Sequence, residues 1–191
     1  MKNTIIYLLG FPGTGKYTIA KEICKQADFR LVDNHLINIP LFTLIENDGK
    51  TTLPARIWDN VGRIWEAVMD TMIHISPPHY SFVLTNALTD QGKGDRAWFE
   101  RAKSTAEQKK ALFVPVRLSC TVEEMEKRIV QPERKTRMKE INPESPKRNA
   151  ENYTVLTVDH PHLLNLDVTN LKPQEAAETI LNHARTFSSS S

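Results

Sequence analysis

A glycine-rich stretch near the start of the chain constrains the fold more than any other feature. It runs from Gly10 to Thr18 and reads Gly-Phe-Pro-Gly-Thr-Gly-Lys-Tyr-Thr. Residues 4–9 before it are rich in apolar and β-branched types and are typical of a strand, whereas residues 19–23 after it have the composition of a helix. Glycines let a backbone wrap around an anion, and a helix N-terminus adds partial positive charge. A strand, a glycine-rich turn and a helix in this order therefore predict a phosphate-binding loop.

Lys16 and Tyr17 decide what this loop could hold. The Walker A pattern G-x-x-x-x-G-K-[ST] is matched from Gly10 to Lys16 and missed at Tyr17, where a Ser or Thr hydroxyl normally contacts Mg²⁺. We expect Lys16 to contact the β- and γ-phosphates of a nucleotide, and Thr18 is the remaining candidate for the metal. A glycine-rich turn that only joins a strand to a helix is the alternative interpretation. The predicted nucleotide-binding residues of the loop are Gly10, Phe11, Pro12, Gly13, Thr14, Gly15, Lys16, Tyr17 and Thr18.

Length and composition are those of an ordinary globular protein. The chain has 191 residues, 40% of them hydrophobic and 25% charged, which predicts one domain with a sizeable core. Its net charge of +2 gives no chain-wide electrostatic reason to expect nucleic acid or membrane partners. No apolar run approaches the roughly 20 residues of a membrane-spanning helix. Cys24 and Cys120 are expected to be reduced thiols, which favours a cytoplasmic setting.

Strand and helix patterns alternate along the chain. Strands are predicted at residues 3–9, 29–33, 80–86, 111–118 and 162–168. Helices are predicted at residues 15–27, 34–75 with a break near 47–50, 95–110, 121–130, 147–157 and 173–186. Pro115 inside the fourth strand indicates a bulge or an edge position. This alternation predicts an α/β fold with a parallel sheet, in which ligands bind beyond the carboxyl ends of the strands. Those ends carry Gly10, Asp33, Asn86, Cys120 and Thr169.

Three segments together resemble the P-loop kinases of the nucleoside-monophosphate-kinase type, including the shikimate, gluconate and chloramphenicol phosphotransferase branches. They are the phosphate loop, the carboxylate at Asp33, and residues 166–180, which read LDVTNLKPQEAAETI. Residues 128–139, RIVQPERKTRMK, are similar to the arginine-bearing lid of that family. The resemblance covers nearly the whole chain and assigns no single branch.

The resemblance implies a three-layer P-loop NTP hydrolase fold, a five-stranded parallel sheet with helices on both faces. It implies a single kinase-like domain over residues 1–191, with a helical substrate-binding region at about 34–75 and a mobile lid segment at about 131–146. ATP, rather than GTP, and Mg²⁺ are the cofactors that it implies.

Asp33 stands where several of these kinases hold an acid that contacts the acceptor. A carboxylate there would orient an attacking hydroxyl and accept its proton. The alternative interpretation is a helix cap, because Asp33 and Asn34 precede a predicted helix. His35 and Asn86 are predicted to line the substrate pocket beside Asp33.

Arginines supply the remaining predicted contacts. Arg134 and Arg137 of the lid segment would stabilise the charge that spreads over the transferring phosphoryl oxygens, unless they only form a solvated helix face. The resemblance places Arg128 and Thr169 near the nucleotide base. Arg56 and Arg63 on a predicted substrate-side helix would suit an anionic acceptor, or would be ordinary surface residues.

The metal contacts depart from the common pattern. Many P-loop proteins end the third strand with an acid that orders the Mg²⁺ shell, whereas this strand ends Leu84-Thr85-Asn86. Mg²⁺ would then be held mainly by nucleotide phosphates, water and Thr18. The sequence thus predicts an ATP-dependent phosphotransferase acting on a small metabolite. A nucleotide-binding regulator or slow NTPase is the alternative, and a kinase of nucleic-acid ends is disfavoured by the small net charge.

Overall fold

The computed structural model describes residues 1–49 and 51–188, except for the side chain of Lys135. Its strands are β1 (Thr4–Leu9), β2 (Phe29–Asp33), β3 (Ser81–Asn86), β4 (Leu112–Ser119) and β5 (Leu164–Asp167). Its helices are α1 (Lys16–Gln26), α2 (Asn34–Phe42), α3 (Ile57–Asp70), α4 (Asp95–Gln108), α5 (Val122–Ile129), α6 (Pro132–Thr136), α7 (Ser145–Asn152) and α8 (Pro173–Ser188). A π-helical turn over Thr71–Ile75 continues α3.

The strands form one five-stranded sheet in the order β2-β3-β1-β4-β5, and every neighbouring pair is parallel. Successive side chains of a strand point to opposite faces, so the fully buried β1 serves two cores. Tyr7 and Leu9 pack with Trp65 on one face, whereas Leu8 packs with Ile19 on the other. Helices therefore cover both faces, and the prediction of a three-layer α/β fold with a five-stranded parallel sheet is confirmed.

Pro115 occupies a place in β4 where one side of the strand has no partner. It pairs with Tyr7 of β1 in an uninterrupted register, and β5 pairs with β4 only from Val116 onward. A proline offers no backbone N–H, so it fits where a strand has an open side. The register shows no bulge here, and β4 is an inner strand between β1 and β5, so neither predicted explanation is correct; Pro115 instead lies just before the residues that pair with β5.

Two predicted helices differ in extent from those of the structure. The break predicted near residues 47–50 is longer than expected, because residues 43–49 and 51–56 form no helix and separate α2 from α3. The helix predicted over 147–157 ends at Asn152, because the next residues are extended and pair with the segment that follows β3. There the Leu156 N–H donates to the Leu88 carbonyl, 2.9 Å away. Tertiary pairing overrides the local helical pattern here.

Two features of the described residues bear on possible partners. Within residues 1–49 and 51–188, no helix is long and apolar enough to cross a membrane. Over the same ranges, no group of three or more His, Cys, Asp or Glu side chains is arranged to hold a metal ion.

Candidate active site

The phosphate loop occupies residues 10–15, between β1 and α1. Gly13 and Gly15 have φ angles of +97° and +87°, in the left-handed region that favours glycine. A Cβ on Gly13 would also lie 3.1 Å from Met125 of α5. Helix α1 begins at Lys16, with Gly15 as an N-cap that offers no side-chain hydrogen bond. The N–H groups of its first turn have no intrahelical partners, which makes this end of α1 a cradle for an anion.

The side chain of Lys16, the first residue of α1, contacts the backbone of this loop. Its Nζ donates to the carbonyl oxygens of Gly10 at 2.6 Å and Phe11 at 2.9 Å. Burial, reinforced by the positive charges of Lys139 and Arg134, lowers the pKa of Lys16 to about 7. A polyphosphate would favour the charged form of this amine, so the environment of Lys16 is suited to binding an anion.

Asp33 ends β2 with its carboxylate buried and directed into the fold. The Thr85 hydroxyl, from the residue opposite it on β3, donates to Asp33 Oδ1 at 2.6 Å. Asp33 is the N-cap residue of α2, yet its side chain makes no capping hydrogen bond. The structure therefore does not support the capping interpretation, and it leaves this acid available to the adjacent cavity.

The lid segment lies between the phosphate loop and Asp33. Arg137 Nη2 is 3.4 Å from Asp33 Oδ2, and Lys139 Nζ is 3.9 Å from the same oxygen. Both cations also lie over the Tyr17 ring. The Arg137 guanidinium carbon is 3.3 Å from the ring centroid, and Lys139 Nζ is 4.4 Å from it. Tyr17, Arg137, Lys139 and Asp33, which we call the cation–tyrosine cluster, thus join the loop to the acid.

Lys139 is the most enclosed cation of this cluster, with 10% of its side chain exposed. Burial lowers the pKa of Lys139 to about 8, Asp33 opposes that shift, and Arg137 and Arg134 add to it. One carboxylate is therefore shared by two close cations, and the cluster contains more positive than negative charges.

Two further contacts fix the lid segment. Arg134 Nε donates to the Glu140 carbonyl at 3.0 Å, which closes the turn after α6. The Ile141 N–H donates to the Gly49 carbonyl at 3.1 Å, which ties the lid segment to the loop between α2 and α3. The lid segment is therefore attached to the region predicted to bind the substrate.

A cavity of about 1120 Å³ lies between these elements. The predicted site residues that line it are Phe11, Pro12, Gly13, Gly15, Lys16, Tyr17, Thr18, Asp33, His35, Arg134 and Arg137. His35 is neutral, because burial and the nearby Lys139 lower its pKa to about 3. Its Nδ1 is buried and makes no hydrogen bond with the described residues.

Other predicted site residues lie away from the cavity. Arg56, just before α3, and Arg63, within α3, are both exposed, and neither lines the cavity. The Asn86 side-chain oxygen accepts hydrogen bonds from Asn34 Nδ2 and the Ala87 N–H, so this side chain is engaged locally.

Arg128 and Thr169 do not line the cavity, although Arg128 lies close to the phosphate loop. Arg128 Nη2 donates to the carbonyls of Val168 and Thr169, at 3.2 Å each. Arg128 Nη1 is 3.8 Å from where a Cβ of Gly15 would lie. The two residues are therefore neighbours beside the loop, in a place compatible with their predicted role near a nucleotide base.

The site fits a nucleotide phosphate better than a protein-held metal ion. The cradle of N–H groups and Lys16 suits phosphate oxygens. At position 17, however, an aromatic ring with three cations over it, Lys21, Arg137 and Lys139, replaces the metal-binding hydroxyl. The Thr18 hydroxyl belongs to an exposed residue on the cavity wall, and its contact with Mg²⁺ stays a prediction.

Sequence reasoning missed two members of this site, Thr85 and Lys139, and the contacts of a third, Tyr17. Thr85 lies near the end of a predicted strand, where ligands are expected, and this position is the signal that could have identified it. Lys139 was part of a recognised basic run, but nothing in that run distinguishes it from its neighbours. Tyr17 is among the predicted nucleotide-binding residues of the loop, but no local pattern reveals the cations over its ring.

Solved structures similar to this chain define its fold class. A gluconokinase from Sinorhizobium meliloti superposes with a TM-score of 0.68 at 12% identity, over 98% of this chain and 94% of the other. The Mycobacterium tuberculosis APS kinase, solved with AMPPNP and APS, gives 0.59 at 14% identity over 96% and 98%. Shikimate kinase from Acinetobacter baumannii, solved with shikimate, gives 0.55 at 16% identity over 96% and 93%.

These similarities show that the fold is that of the P-loop small-molecule kinases. No protein-family model matches the sequence, and the curated proteins contain no match to it. The resemblance inferred from the sequence is thus confirmed at the level of the fold, with no branch singled out.

Proposed function

We propose that this protein is an ATP-dependent phosphotransferase that moves the γ-phosphoryl group of ATP to a hydroxyl or phosphate of a small metabolite. One observation carries the proposal. The phosphate loop and the buried Asp33 carboxylate face the same cavity, of about 1120 Å³. Pockets for one drug-sized ligand measure about 300–1000 Å³, so this volume suits a nucleotide's phosphates together with an acceptor.

The predicted catalytic residues and the loop amides each have a role in this reaction. The loop amides and Lys16 would hold the β- and γ-phosphates, and Asp33 would orient the acceptor hydroxyl and take its proton. Arg134 and Arg137 would stabilise the charge on the transferring phosphoryl group. Arg137 would turn from Asp33 towards that group, which would free the carboxylate to act on the acceptor.

The nucleotide and acceptor assignments rest on less direct support. The APS kinase with a similar fold was solved with AMPPNP, which supports a nucleotide at the phosphate loop. Arg128 and Thr169 would flank its base, and His35 would form a neutral part of the acceptor wall. Arg56 and Arg63 stay predictions for an anionic acceptor, because they lie outside the cavity lining. The free thiols of Cys24 and Cys120 fit the proposed cytoplasmic setting.

A nucleotide-binding regulator or slow NTPase is the second candidate. It is favoured by the contacts of Asp33, whose carboxylate lies near both Arg137 and Lys139. A base occupied in this way would accept a proton poorly until the cations move.

The test is incubation of the purified protein with γ-labelled ATP, Mg²⁺ and a fractionated metabolite extract. A labelled small molecule formed by the wild type and not by Lys16→Ala would establish a kinase and reveal its acceptor class. Lys93→Ala, at an exposed position outside the cavity lining, is the matched control and should behave as wild type. Label released only as inorganic phosphate would favour the NTPase, and ATP binding without turnover would favour the regulator.

A further inference from the structure

Tyr17, the residue after the phosphate-loop lysine, differs in its contacts from the Ser or Thr that other phosphate loops have at this position. A Ser or Thr hydroxyl at that position ordinarily contacts Mg²⁺. Here Arg137 lies 3.3 Å, Lys139 4.4 Å and Lys21 5.1 Å from the centroid of the Tyr17 ring. Cations attracted to an aromatic face in a partly buried place are held there by the ring quadrupole. A divalent cation beside this ring would face these three positive charges instead of an oxygen ligand.

The end of β3, where many P-loop proteins place an acid that orders the Mg²⁺ shell, also differs from the common pattern. The Thr85 hydroxyl near the end of β3 donates to Asp33, and the Asn86 oxygen is occupied by Asn34 Nδ2 and the Ala87 N–H. Mg²⁺ prefers carboxylate and water oxygens in octahedral geometry. The described residues therefore do not fit a metal held by the protein at this end of the loop.

Lys139 is a nearly buried cation whose charge is only partly neutralised by its neighbours. Asp33 is the one carboxylate among the described side chains within ion-pairing distance of it, and Asp33 is shared with Arg137. A buried charge is costly unless it is paired. The lowered pKa of Lys139, about 8, shows the incomplete compensation, since burial outweighs the help from Asp33.

The positive charge of Lys139 also acts on Lys16. It is the largest electrostatic contribution that lowers the pKa of Lys16. A polyphosphate bound at Lys16 would offset this effect and favour the charged form of the amine. Lys139 also lies 4.4 Å from the ring centroid of Tyr17, the residue at the position whose hydroxyl would otherwise contact the metal ion.

We propose that Lys139, held with Arg137 over the Tyr17 ring, binds the nucleotide phosphates and supplies there the positive charge that a protein-held metal ion supplies in other phosphate loops. This inference rests on the proposed nucleotide binding of the preceding section. Tyr17 then acts as a positioning residue that keeps both cations beside the loop. The protein should consequently bind nucleotides without a divalent metal.

The test is calorimetric titration of ADP and of a non-hydrolysable ATP analogue, once in EDTA and once in Mg²⁺. We expect the wild type to bind in EDTA within about tenfold of its affinity in Mg²⁺. Lys139→Met should bind about 10- to 100-fold more weakly in EDTA, the effect of losing a charged hydrogen-bond partner. Lys139→Arg should restore most of the affinity, and Lys93→Met, the matched control, should bind as wild type.

Tyr17→Thr is a second test of the proposal, and it leaves Lys139 in place. It restores the ordinary hydroxyl and removes the ring, so binding should become weaker in EDTA and more dependent on Mg²⁺. Thermal unfolding of every variant verifies that the fold persists, and Lys139→Gln replaces Lys139→Met if the latter does not fold.

The outcomes separate the two proposals. Wild-type binding in both buffers, with unchanged affinity of Lys139→Met in EDTA, would overturn this inference alone. Wild-type binding that disappears in EDTA would also overturn it alone. Absence of wild-type binding in both buffers would overturn the proposed function and this inference together.

Discussion

The Thr85 hydroxyl donates a 2.6 Å hydrogen bond to the Asp33 carboxylate across the parallel pair formed by β2 and β3. The two residues are opposite each other in the strand register, so the sheet itself sets their distance. The same hydroxyl accepts the Asn34 N–H at 3.3 Å, at the start of α2. One side chain therefore fixes both the candidate base and the helix that follows it.

Thr85→Val should reduce turnover more than nucleotide binding. The change keeps the side-chain shape but removes the donor to Asp33 and leaves the Asn34 N–H unpaired. Loss of such buried partners costs about 1–3 kcal/mol of stability, which denaturant unfolding would measure. Thr85→Ser, which keeps the hydroxyl, should retain most of the turnover. A Val variant with wild-type kcat would contradict a positioning role.

Asp33→Asn should abolish most of the phosphoryl transfer while nucleotide binding persists. The amide can still accept the Thr85 hydrogen bond but cannot take a proton, and general-base catalysis contributes roughly 10²–10⁴-fold. Steady-state kinetics and calorimetry on the same preparations would separate the two effects. The control is Asp59→Asn, the same chemical change at an exposed position of α3. Equal turnover of Asp33→Asn and wild type would exclude Asp33 as the base.

Gly13→Ala should damage both the fold and the phosphate site. A side chain at φ +97° costs about 1–2 kcal/mol, and its Cβ would lie 3.1 Å from Met125. Gly94→Ala separates these effects, because Gly94 has φ +93° but no atom within 4 Å of the new Cβ. Both variants should unfold at lower denaturant concentration, and Gly13→Ala should lose more stability. Only Gly13→Ala should lose nucleotide affinity; loss in both would point to a global effect.

Nucleotide binding should take up protons above pH 7. In the free protein the pKa values of Lys16 and Lys139 are lowered to about 7 and about 8, so both amines are protonated at pH 6. Bound phosphates would raise both values, which gives little uptake at pH 6 and roughly one to two protons at pH 8. Calorimetry in buffers of different ionisation enthalpy measures this number. Uptake that does not change between pH 6 and pH 8 would contradict the role of both lysines.

The same two lysines affect the stability of the free protein. Their folded pKa values lie below the unfolded value of 10.5, so the unfolded chain binds more protons between about pH 7 and pH 10. Their contribution to the free energy of unfolding therefore rises with pH across this interval. In Lys16→Met this slope should be smaller, as urea unfolding at several pH values would show.

The sequence predicts those parts of the site that are contiguous in the chain. The strand, the glycines and Lys16 follow one another, so residues 4–18 identify the loop and its cradle. The parallel sheet was predictable for a similar reason, because strand and helix patterns alternate. The end of α7 was not, since pairing with the segment after β3 extends the chain at Leu156.

Contacts between distant segments could not be predicted. Nothing near Tyr17 indicates that Arg137 and Lys139 cover its ring, because the lid segment reaches it only in three dimensions. Helical spacing places Arg56 and Arg63 on a helix but does not tell which face meets the cavity. A basic run likewise does not show which cation is buried, and burial is what distinguishes Lys139.

The hydrogen bond from the Ile141 N–H to the Gly49 carbonyl has a thermodynamic consequence. Any motion that lifts the lid segment from Tyr17 must break this bond or carry the loop at Gly49 with it. A ligand that holds the loop in place therefore also holds the lid segment in place. Linkage is reciprocal, so under the proposed function a bound acceptor and a bound nucleotide would change each other's affinity by the same factor. The two ligands would then bind cooperatively, through one backbone contact at the wall of the cavity.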